Sequence, residues 1–416
     1  MQNLSRYISR KIITNNAQAQ GAVVGNKSTR AISFIATAGI GLGFVMILLA
    51  FSILNGFKHE IESKLMGFSG QMIVSNFAPT NALETRTVTI DATTIAQLQQ
   101  HPNITQVNAV ANMPCIVKTN TDIEGALLKG VDYKYDFSFF NKYIQQGRTP
   151  LLCKDSTSNE IMVSQQLASK LNLTLNKNIF LYFVQNPPRM RKLKLVGIYQ
   201  TGLEEFDKLF VIADLRHVQH LNNWHNNEVS SYEITTNTYN EAAIKAIQND
   251  VNRLLPFDAA SVSVYDKYPQ IINWLRLQDV NVQVILLLVV LISAINMIAA
   301  LLITILENTS TIGILKSLGA SNAMVRKVFL WFALRLVGKG LLIGNVVGIG
   351  LCLVQQYFHI IPLDQASYYM PYVPISLSFW VVLGLNIGTV IISLIILLIP
   401  AMVISSISPL RALRFQ

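Results

Sequence analysis

The sequence is poor in the residues on which catalytic and metal sites depend. It contains three cysteines and six histidines in 416 residues. Cys115, Cys153 and Cys352 have no metal-like spacing, the histidines are scattered, and neither Gly-x-Ser-x-Gly nor His-Glu-x-x-His occurs. The chain is therefore not expected to hold a metal or to catalyse a reaction. Whether Cys115 and Cys153 form a disulfide stays open, because nothing in their spacing requires it.

A nucleotide-binding motif is missing as well. Residues 25–29, Gly-Asn-Lys-Ser-Thr, resemble a phosphate-binding loop only faintly. They lack the Gly-Lys pair and the preceding strand that such a loop needs to place its backbone amides around the phosphates. We expect no nucleotide site in this chain.

Acidic residues are nearly missing outside the middle of the chain. The formal net charge is +10, but residues 56–279 carry 21 Lys and Arg against 21 Asp and Glu and are neutral. The rest of the chain has 12 basic residues and two acidic ones, Glu307 and Asp364. Because the basic residues flank long apolar runs, they indicate membrane topology, whereas a nucleic-acid-binding protein concentrates them on a folded soluble domain.

Four apolar runs are long enough to cross a bilayer, whose core of ~30 Å needs about 20 helical residues. Charged side chains interrupt only the third run, at Arg335 and Lys339. These two residues either anchor the helix at the headgroups by snorkelling or form a buried functional charge. The predicted transmembrane helices are residues 31–55, 282–306, 328–357 and 378–404.

The charges that flank these runs predict the orientation. Basic residues lie at both termini and between the second and third runs, and residues 359–373 contain no Lys or Arg. Cytoplasmic loops carry the excess of Lys and Arg, so both termini are expected inside. The first run is too long for a signal peptide and lacks a small-x-small cleavage pattern. The predicted cytoplasmic segments are 1–30, 307–327 and 405–416, and the segments predicted to lie on the opposite side of the membrane are 56–281 and 358–377.

The first of these segments, 1–30, has two interpretations. Leu4, Tyr7, Ile8 and Ile12 recur at helical spacing among basic residues, which is typical of an amphipathic helix lying in the inner interface. An unstructured basic tail is the alternative.

The long outer segment begins and ends with βαβ-like patterns. Alternating and helical periodicities predict strands and a helix within 71–119, and again within 231–265. Between them lies an insert, about 130–227. The two patterns are expected to pair into one ferredoxin-like subdomain, with the insert as a second, strand-rich lobe. The sequence thus predicts an α-helical membrane protein with four transmembrane helices and a large α+β extracytoplasmic domain between helices 1 and 2.

Two prolines interrupt the insert between the apolar runs 179–184 and 193–196. Pro187 and Pro188 have no amide hydrogen for a sheet ladder, so residues 185–191 are predicted to form a protruding hairpin tip. The tip is either a contact surface for a partner or an ordinary solvated turn.

The loop after the second span contains a short apolar pattern. Ile312, Leu315 and Leu318 are three residues apart, which predicts a short helix with an apolar face that ends at Gly319, a good C′ residue. A short apolar helix exposed to the cytoplasm needs a surface to bury against. That surface is either the bilayer or a groove on another protein.

Small and amide residues within the spans also have two interpretations. Gly340, Gly344 and Gly348 have small-x3-small spacing, which suits either packing inside one subunit or a dimer seam. Asn345 and Asn386 are expected to make interhelical hydrogen bonds, with substrate contact as the alternative. Asn296, in the second span, has the same two interpretations.

The cytoplasmic loop belongs to a longer pattern, Glu-x4-Ile-Gly-Ile-Leu-Lys-x-Leu-Gly-Ala at residues 307–320. This pattern, placed after a long outer domain and before two more spans, resembles the FtsX/MacB-type ABC permeases. Within that superfamily the chain is most similar to the lipoprotein-releasing, LolC/LolE-type branch. Further matching segments are Gly56-Phe57, 197–202 with Phe206-Asp207, and 409–414. The resemblance covers nearly the whole chain.

The resemblance implies a permease subunit of the bacterial inner membrane that is not itself an enzyme. The loop 307–321 would be the coupling helix, docked into a separate cytoplasmic ABC ATPase dimer that binds and hydrolyses ATP with Mg²⁺. Because four helices are too few for a transporter of this type, a second permease copy or a paralogue is also implied. The implied coupling residues are Glu307, Ile312, Gly313, Leu315, Lys316, Leu318, Gly319 and Ala320.

A lipoprotein substrate and a periplasmic lipoprotein carrier are implied in the same way. The hairpin lies where members of this branch have the hook that recruits the carrier, and the candidate hook residues are Pro187, Pro188, Arg189, Met190 and Arg191. The substrate would enter between span one of one subunit and span two of the other. The candidate acyl-chain wall is Met46, Ala50, Ile53, Val284, Leu288 and Leu291. A surface that faces lipid has the same composition, so that alternative stays open.

Three other functions compete with lipoprotein release. A MacB-type exporter of peptides or amphiphiles usually carries a fused ATPase, which this chain lacks. An FtsX-type transmitter, which activates a cell-wall hydrolase, typically has a smaller outer domain. A membrane-anchored binding protein without an ATPase leaves the coupling-like loop unexplained.

Overall fold

The computed structural model of the chain describes residues 26–77, 86–119, 122–307 and 309–406. Two compact units share these residues. One, called the membrane unit, contains the residues up to Phe57 together with 275–361 and those from Val373 onward. The other, called the outer unit, contains 58–274 and 362–372. The predicted amphipathic helix before residue 26 and the basic tail after residue 406 lie outside the described residues.

The elements are numbered in chain order. The helices are α1 (Asn26–Ser69), α2 (Ala92–Gln100), α3 (Ser138–Tyr143), α4 (Gln165–Lys170), α5 (Glu204–Asp207), α6 (Leu215–Asn222), α7 (Glu241–Leu254), α8 (Val264–Lys267), α9 (Pro269–Glu307), α10 (Thr309–Ser317), α11 (Asn322–Phe358), α12 (Gln365–Tyr368) and α13 (Phe379–Ser406). The strands are β1 (Met72–Asn76), β2 (Ile104–Lys118), β3 (Ile123–Val131), β4 (Ile144–Gly147), β5 (Glu160–Ser164), β6 (Asn178–Phe183), β7 (Arg189–Tyr199), β8 (Phe210–Asp214), β9 (Ser231–Thr236) and β10 (Ala259–Ser263).

Within the described ranges, four helices are long and apolar enough to cross a membrane, namely α1, α9, α11 and α13. Two of them extend more than ten residues beyond the predicted apolar runs. Helix α1 continues past residue 55 to Ser69, because Ile61, Leu65 and Phe68 keep a buried helical stripe among polar residues. Helix α9 begins at Pro269, where a proline is tolerated because it lies in the first turn.

Glycines hold α11 against α1. A Cβ added at Gly344 would lie 2.9 Å from the carbonyl oxygen of Gly41, and one added at Gly348 would lie 2.8 Å from the side chain of Leu48. The small-x3-small spacing of α11 therefore serves close packing inside one chain. Helices α11 and α13 are joined by Asn345 and Asn386, whose amides donate to each other over 2.7 and 3.1 Å, which is the expected interhelical bond.

The outer unit contains one continuous sheet in the order β10-β1-β9-β2-β3-β8-β5-β7-β4, with β6 paired to β2 and β7. The first four strands are all antiparallel, and α2 and α7 connect them as two interleaved βαβ units, the ferredoxin-like arrangement. The insert extends this same sheet and does not form a separate lobe. The reason is the length of β2, whose 15 residues pair first with β9 and then, from Val110, with β3.

A buried ion pair attaches the end of α1 to this sheet. The ammonium of Lys129 on β3 lies 2.8 Å from the carboxylate of Glu233 on β9 and donates to the carbonyl of Phe68, a helix-terminal acceptor with no partner inside the helix. Burial lowers the pKa of Lys129 and raises the pKa of Glu233, and the attraction between the two charges opposes both shifts. The pair is buried, so each charge depends on the other.

Residues 362–372, between α11 and α13, pack on the outer unit. Lys64 donates to the carbonyl of Tyr369 over 3.0 Å, and Gln200 donates to Gln365 over 2.9 Å. Gly202 has a φ of +85°, and a Cβ there would lie 2.7 Å from the Tyr369 carbonyl. Glycine at the end of the 197–202 motif is thus required both by the backbone conformation and by this close approach.

All three cysteines lie within the described residues, and all three are free thiols. Cys115 is buried in β2, whereas Cys153 is exposed. Burial raises the pKa of the Cys115 thiol to about 12. The open question of a bond between Cys115 and Cys153 is therefore answered: the structure has none.

Candidate functional site

Helix α10 is a separate short helix between two membrane-spanning ones, and its end is defined by glycine. The amide of Ala320 donates to the carbonyl of Leu315 and that of Gly319 donates to the carbonyl of Lys316, which together form a Schellman motif. Gly319 has a φ of +90°, which only glycine adopts without strain. The next helix starts at once, with the Ser321 hydroxyl accepting from the amide of Met324.

The exposed apolar face of α10 keeps Leu318 from the expected set but has Ile314 in place of Ile312. Ile312 is 1 % exposed and packs in the apolar core of the membrane unit, and Gly313 is also buried. Ile314 and Leu318 are 51 % and 79 % exposed and lie one helical turn apart. Leu315, Lys316 and Ala320 are partly buried, and the side chain of Glu307 lies outside the described part. The apolar surface available to a partner is therefore formed by Ile314 and Leu318.

The sequence contains a pattern that indicates this face, but the three-residue spacing of Ile312, Leu315 and Leu318 was followed instead. Ile314 and Leu318 are spaced i, i+4, which places them on one helix face as well as the predicted set does. The choice between the two faces depends on which one the packed helices α11 and α13 cover.

The hairpin tip between β6 and β7 is tied to helix α6. The guanidinium of Arg189 donates to the carbonyls of His220 and Leu221, over 3.1 and 2.8 Å, at the C-terminal end of that helix. Gln185 donates to the side chain of Asn222 over 2.9 Å. Arg189 thus satisfies helix-terminal carbonyls, where a cation is electrostatically favoured.

The remaining predicted hook residues are more accessible. Pro187 and Pro188 are exposed, Met190 is 46 % exposed, and Arg191 is partly buried. Next to Met190 a concave surface of about 610 Å³ is lined by Phe180 and Tyr182. Lys118 and Lys177 contribute to the same surface, and the ammonium of Lys118 lies 5.8 Å from the centre of the Tyr182 ring. The surface combines aromatic area with positive charge.

The predicted acyl-chain wall lies on outward-facing surfaces of the membrane unit. Met46 on α1 is 47 % exposed, and Ala50 and Ile53 are partly buried. Val284, Leu288 and Leu291 on α9 are each about half exposed. Side chains in such positions contact either bilayer lipid or another subunit, and the chain by itself does not enclose them.

The described residues contain no group of three or more His, Cys, Asp or Glu side chains that could hold a metal ion. The geometry of the candidate sites is that of docking surfaces: an exposed apolar turn on α10, an aromatic and basic concavity beside the hairpin, and apolar helix faces.

Two family models match the chain in succession. The one described as MacB-like periplasmic core domain matches residues 33–254, and the one described as FtsX-like permease C-terminal matches residues 283–409. The first match ends at the last residue of α7 and the second begins within α9, so together they cover at least part of each of the four candidate membrane-spanning helices.

Curated relatives match over nearly their whole length. The lipoprotein-releasing system transmembrane protein LolE of Haemophilus influenzae is 22 % identical over 421 residues, which cover 93 % of this chain and 95 % of LolE. LolC of Xylella fastidiosa, named for the same system, is 21 % identical over 406 residues, with coverages of 92 % and 95 %. Among solved structures, the periplasmic region of MacB from Actinobacillus actinomycetemcomitans is 16 % identical and covers 50 % of this chain and 95 % of its own, with a TM-score of 0.35.

Proposed function

We infer the function from the family: this chain belongs to the MacB-like and FtsX-like ABC transporter permeases, and we propose that it is the permease subunit of a lipoprotein-releasing transporter. Such a transporter uses ATP to extract lipoproteins from the bacterial inner membrane and passes them to a periplasmic carrier. The observation that carries the proposal is the similarity to LolE and LolC over more than nine-tenths of each chain.

The proposed topology follows from the charges and the helices. With both termini and α10 in the cytoplasm, the basic flanks lie inside and the α+β unit lies in the periplasm. The chain then reaches both compartments between which a release system must act.

The proposed role of α10 is coupling to a cytoplasmic ATPase dimer, which holds ATP and Mg²⁺. The exposed pair Ile314 and Leu318 supports this role, because an apolar turn exposed to the cytoplasm gains free energy when a protein groove covers it. Four helices are too few for a transport pathway, so a second permease copy or a paralogue supplies the other helices.

The energetics of the substrate constrain the proposed mechanism. Transfer of an acyl chain into water costs about 0.8 kcal/mol per CH₂ group, so several long chains would cost tens of kcal/mol. The chains therefore move from one apolar enclosure to another, from the helices of the permease pair to the carrier. Closure of the ATPase dimer, acting through α10, supplies the work.

The proposed carrier-docking surface is the hairpin tip together with the concavity beside it. Pro187, Pro188 and Met190 present an apolar tip, and Lys118 and Lys177 add positive charge next to it. A carrier whose docking rim is acidic and whose lipid cavity is apolar complements both features. Arg189 acts within the tip by fixing it to α6.

The proposal is tested by measuring lipoprotein release with the permease, its ATPase and the carrier together. The chain, its ATPase and its partner permease are reconstituted in proteoliposomes with a triacylated lipoprotein, and ATP-dependent transfer to a purified periplasmic carrier is measured. A photoreactive residue at Met190 is expected to crosslink the carrier, whereas one at the exposed Arg253 on α7 serves as the matched control. In a chain that keeps the photoreactive residue at position 190, replacement of Pro187, Pro188, Arg189 and Arg191 by glycine and serine is expected to abolish both crosslink and transfer.

Two other outcomes assign the chain to the competing functions. ATPase activity that responds to a cell-wall hydrolase, without lipoprotein transfer, identifies an FtsX-type transmitter. ATP-dependent export of a soluble amphiphile without a carrier identifies a MacB-type exporter. Either result overturns the proposal of lipoprotein release.

A further inference from the structure

A cavity of about 120 Å³ lies inside the membrane unit between α1, α9 and α13. Its walls are mostly apolar, with Ile40 and Ile47 from α1, Met297 from α9 and Ile392 from α13. At one point α1 and α9 come very close, since a Cβ at Gly43 would overlap the hydroxyl of Ser293 on α9. The cavity is distinct from the outward-facing wall that the sequence predicts, and it lies inside a single chain.

Two glycines of α13 keep this cavity open. Gly384 and Gly388 line it, and a Cβ added at either position would meet no atom within 4 Å. Gly344 on α11 is different, because its missing side chain lets α1 approach. Gly384 and Gly388 therefore border the free space of the cavity, and a larger side chain at either position would occupy part of it.

The size and polarity of the cavity indicate what fills it. A second helix, about 10 Å across, does not fit into it. Water is disfavoured, because apolar cavities of about this size stay dry and accept hydrocarbon ligands. The few polar groups in its wall include the hydroxyls of Thr389 and Ser393, and such hydroxyls in helices commonly bond to the backbone of the preceding turn.

We propose that the cavity binds part of one acyl chain, which enters sideways from the bilayer between α9 and α13. The ligand is a saturated or monounsaturated hydrocarbon chain of a membrane lipid or of a lipid-anchored protein. Only the second source rests on the proposed function. In that case the cavity holds one chain of the substrate inside a single subunit while the remaining chains lie between subunits.

The experiment uses the full-length chain with its partner subunits in nanodiscs and two probes. One is a phosphatidylethanolamine with a diazirine in its acyl chain, and the other is a triacylated lipopeptide with the same diazirine chain. After photolysis, mass spectrometry locates the labelled residues. Labelling of Ile392 and Met297 is expected, and the probe that labels them identifies the source of the chain.

Glycine variants provide matched controls. Gly388→Leu and Gly384→Leu place a leucine at the cavity wall, where a Cβ meets no atom within 4 Å. Gly350→Leu adds the same side chain to α11, outside this cavity, where a Cβ also meets nothing within 4 Å. Labelling at the cavity is expected to fall by about tenfold or more in the first two variants, the loss that corresponds to displacing two buried methylene groups. Gly350→Leu is expected to leave it unchanged.

The result that overturns the proposal is labelling of the cavity residues that is equal in Gly388→Leu and the wild-type chain, or labelling spread evenly over the exposed face of α9. If Gly388→Leu does not fold, the proposal is tested with Gly384→Leu and by titrating the wild-type chain with the probe. A binding site saturates as the mole fraction of probe rises, whereas contact with bulk lipid increases in proportion to it. If only the phospholipid probe labels the cavity, the cavity binds an acyl chain but not one of the lipoprotein substrate. The transfer assay described above then tests lipoprotein release independently.

Discussion

Truncation of the exposed turn of α10 is expected to weaken docking of the ATPase without damaging the permease. The variants are Ile314→Ala, Leu318→Ala and the double variant. Both side chains are largely exposed in the chain alone, so their truncation leaves no internal void. Their contribution appears only when a partner covers them.

The magnitude follows from the exposed fractions. Full burial of a leucine or isoleucine side chain stabilises by about 1.5–3 kcal/mol. Scaled by the exposed fractions of 51 % and 79 %, the pair contributes about 2–4 kcal/mol to docking, which is roughly a 30- to 900-fold loss of affinity in the double variant. Leu318→Ala alone is expected to account for the larger part.

Ile312→Ala provides the contrast within the same helix. Ile312 is buried against the core that contains Val325 and Phe329, so its truncation is expected to cost about 2–5 kcal/mol of stability. The melting temperature of the permease should fall, whereas ATPase affinity of the folded fraction should change little. Leu342→Ala, at a 66 % exposed position of α11 within the membrane, is the matched control and should change neither quantity.

The assay is a fluorescence titration of the labelled ATPase onto the permease in nanodiscs, combined with thermal unfolding of each variant. If the double variant keeps its affinity to within about a factor of two, or about 0.4 kcal/mol, the ATPase does not dock on this face. If Ile312→Ala weakens ATPase docking while the melting temperature of the permease is unchanged, Ile312 contacts the ATPase and is not part of the core.

Three further predictions concern the rest of the chain. Lys129→Met leaves Glu233 buried without its partner and is expected to destabilise the outer unit by about 3–5 kcal/mol. Hydrogen exchange of β2 and β3 measures this loss, and stability should partly recover when Glu233 is also made apolar. Faster exchange in the double variant than in the single variant contradicts the prediction. Burial lowers the pKa of His217, so the unfolded chain binds a proton that the folded domain excludes. The contribution of His217 to the free energy of unfolding is fully present above about pH 6.5 and is lost as the pH falls below it. His217→Gln should flatten the pH dependence of stability between about pH 7.5 and 5. Gly344→Leu forces α11 away from α1 and should lower the melting temperature in detergent, whereas Gly350→Leu has free space and should not; equal melting temperatures refute the close packing.

The class and layout of the fold were predictable, because they depend on local patterns. Length and hydropathy select the four apolar helices, and alternating strand patterns at the two ends of the outer segment predict its two βαβ units. The helix end at Gly319 was predictable as well, since a glycine after an apolar turn is a common C-terminal signal. The continuation of α1 to Ser69 was missed, because the prediction ended with the apolar run.

The candidate sites were predictable as segments, but the exposed side chains within them were not. The loop after the second span was identified correctly as a short helix, yet its exposed residue is Ile314 and not Ile312. The hairpin was identified at its prolines, yet Arg189 bonds to carbonyls of α6 that lie 31 and 32 residues away along the chain. The cavity at Gly384 and Gly388 has no local pattern that distinguishes these glycines from those that pack helices.

The sequence by itself determined the membrane class, the apolar spans, the expected orientation and the family, because hydropathy, charge and motif spacing are read within short windows of residues. The tertiary structure alone decided which side chains are covered, which glycines make contacts and which leave space, and how β2 joins the two parts of the sheet. Burial is a property of neighbours that are distant along the chain. A periodic pattern defines the faces of a helix, and only packing decides which face remains free for a partner.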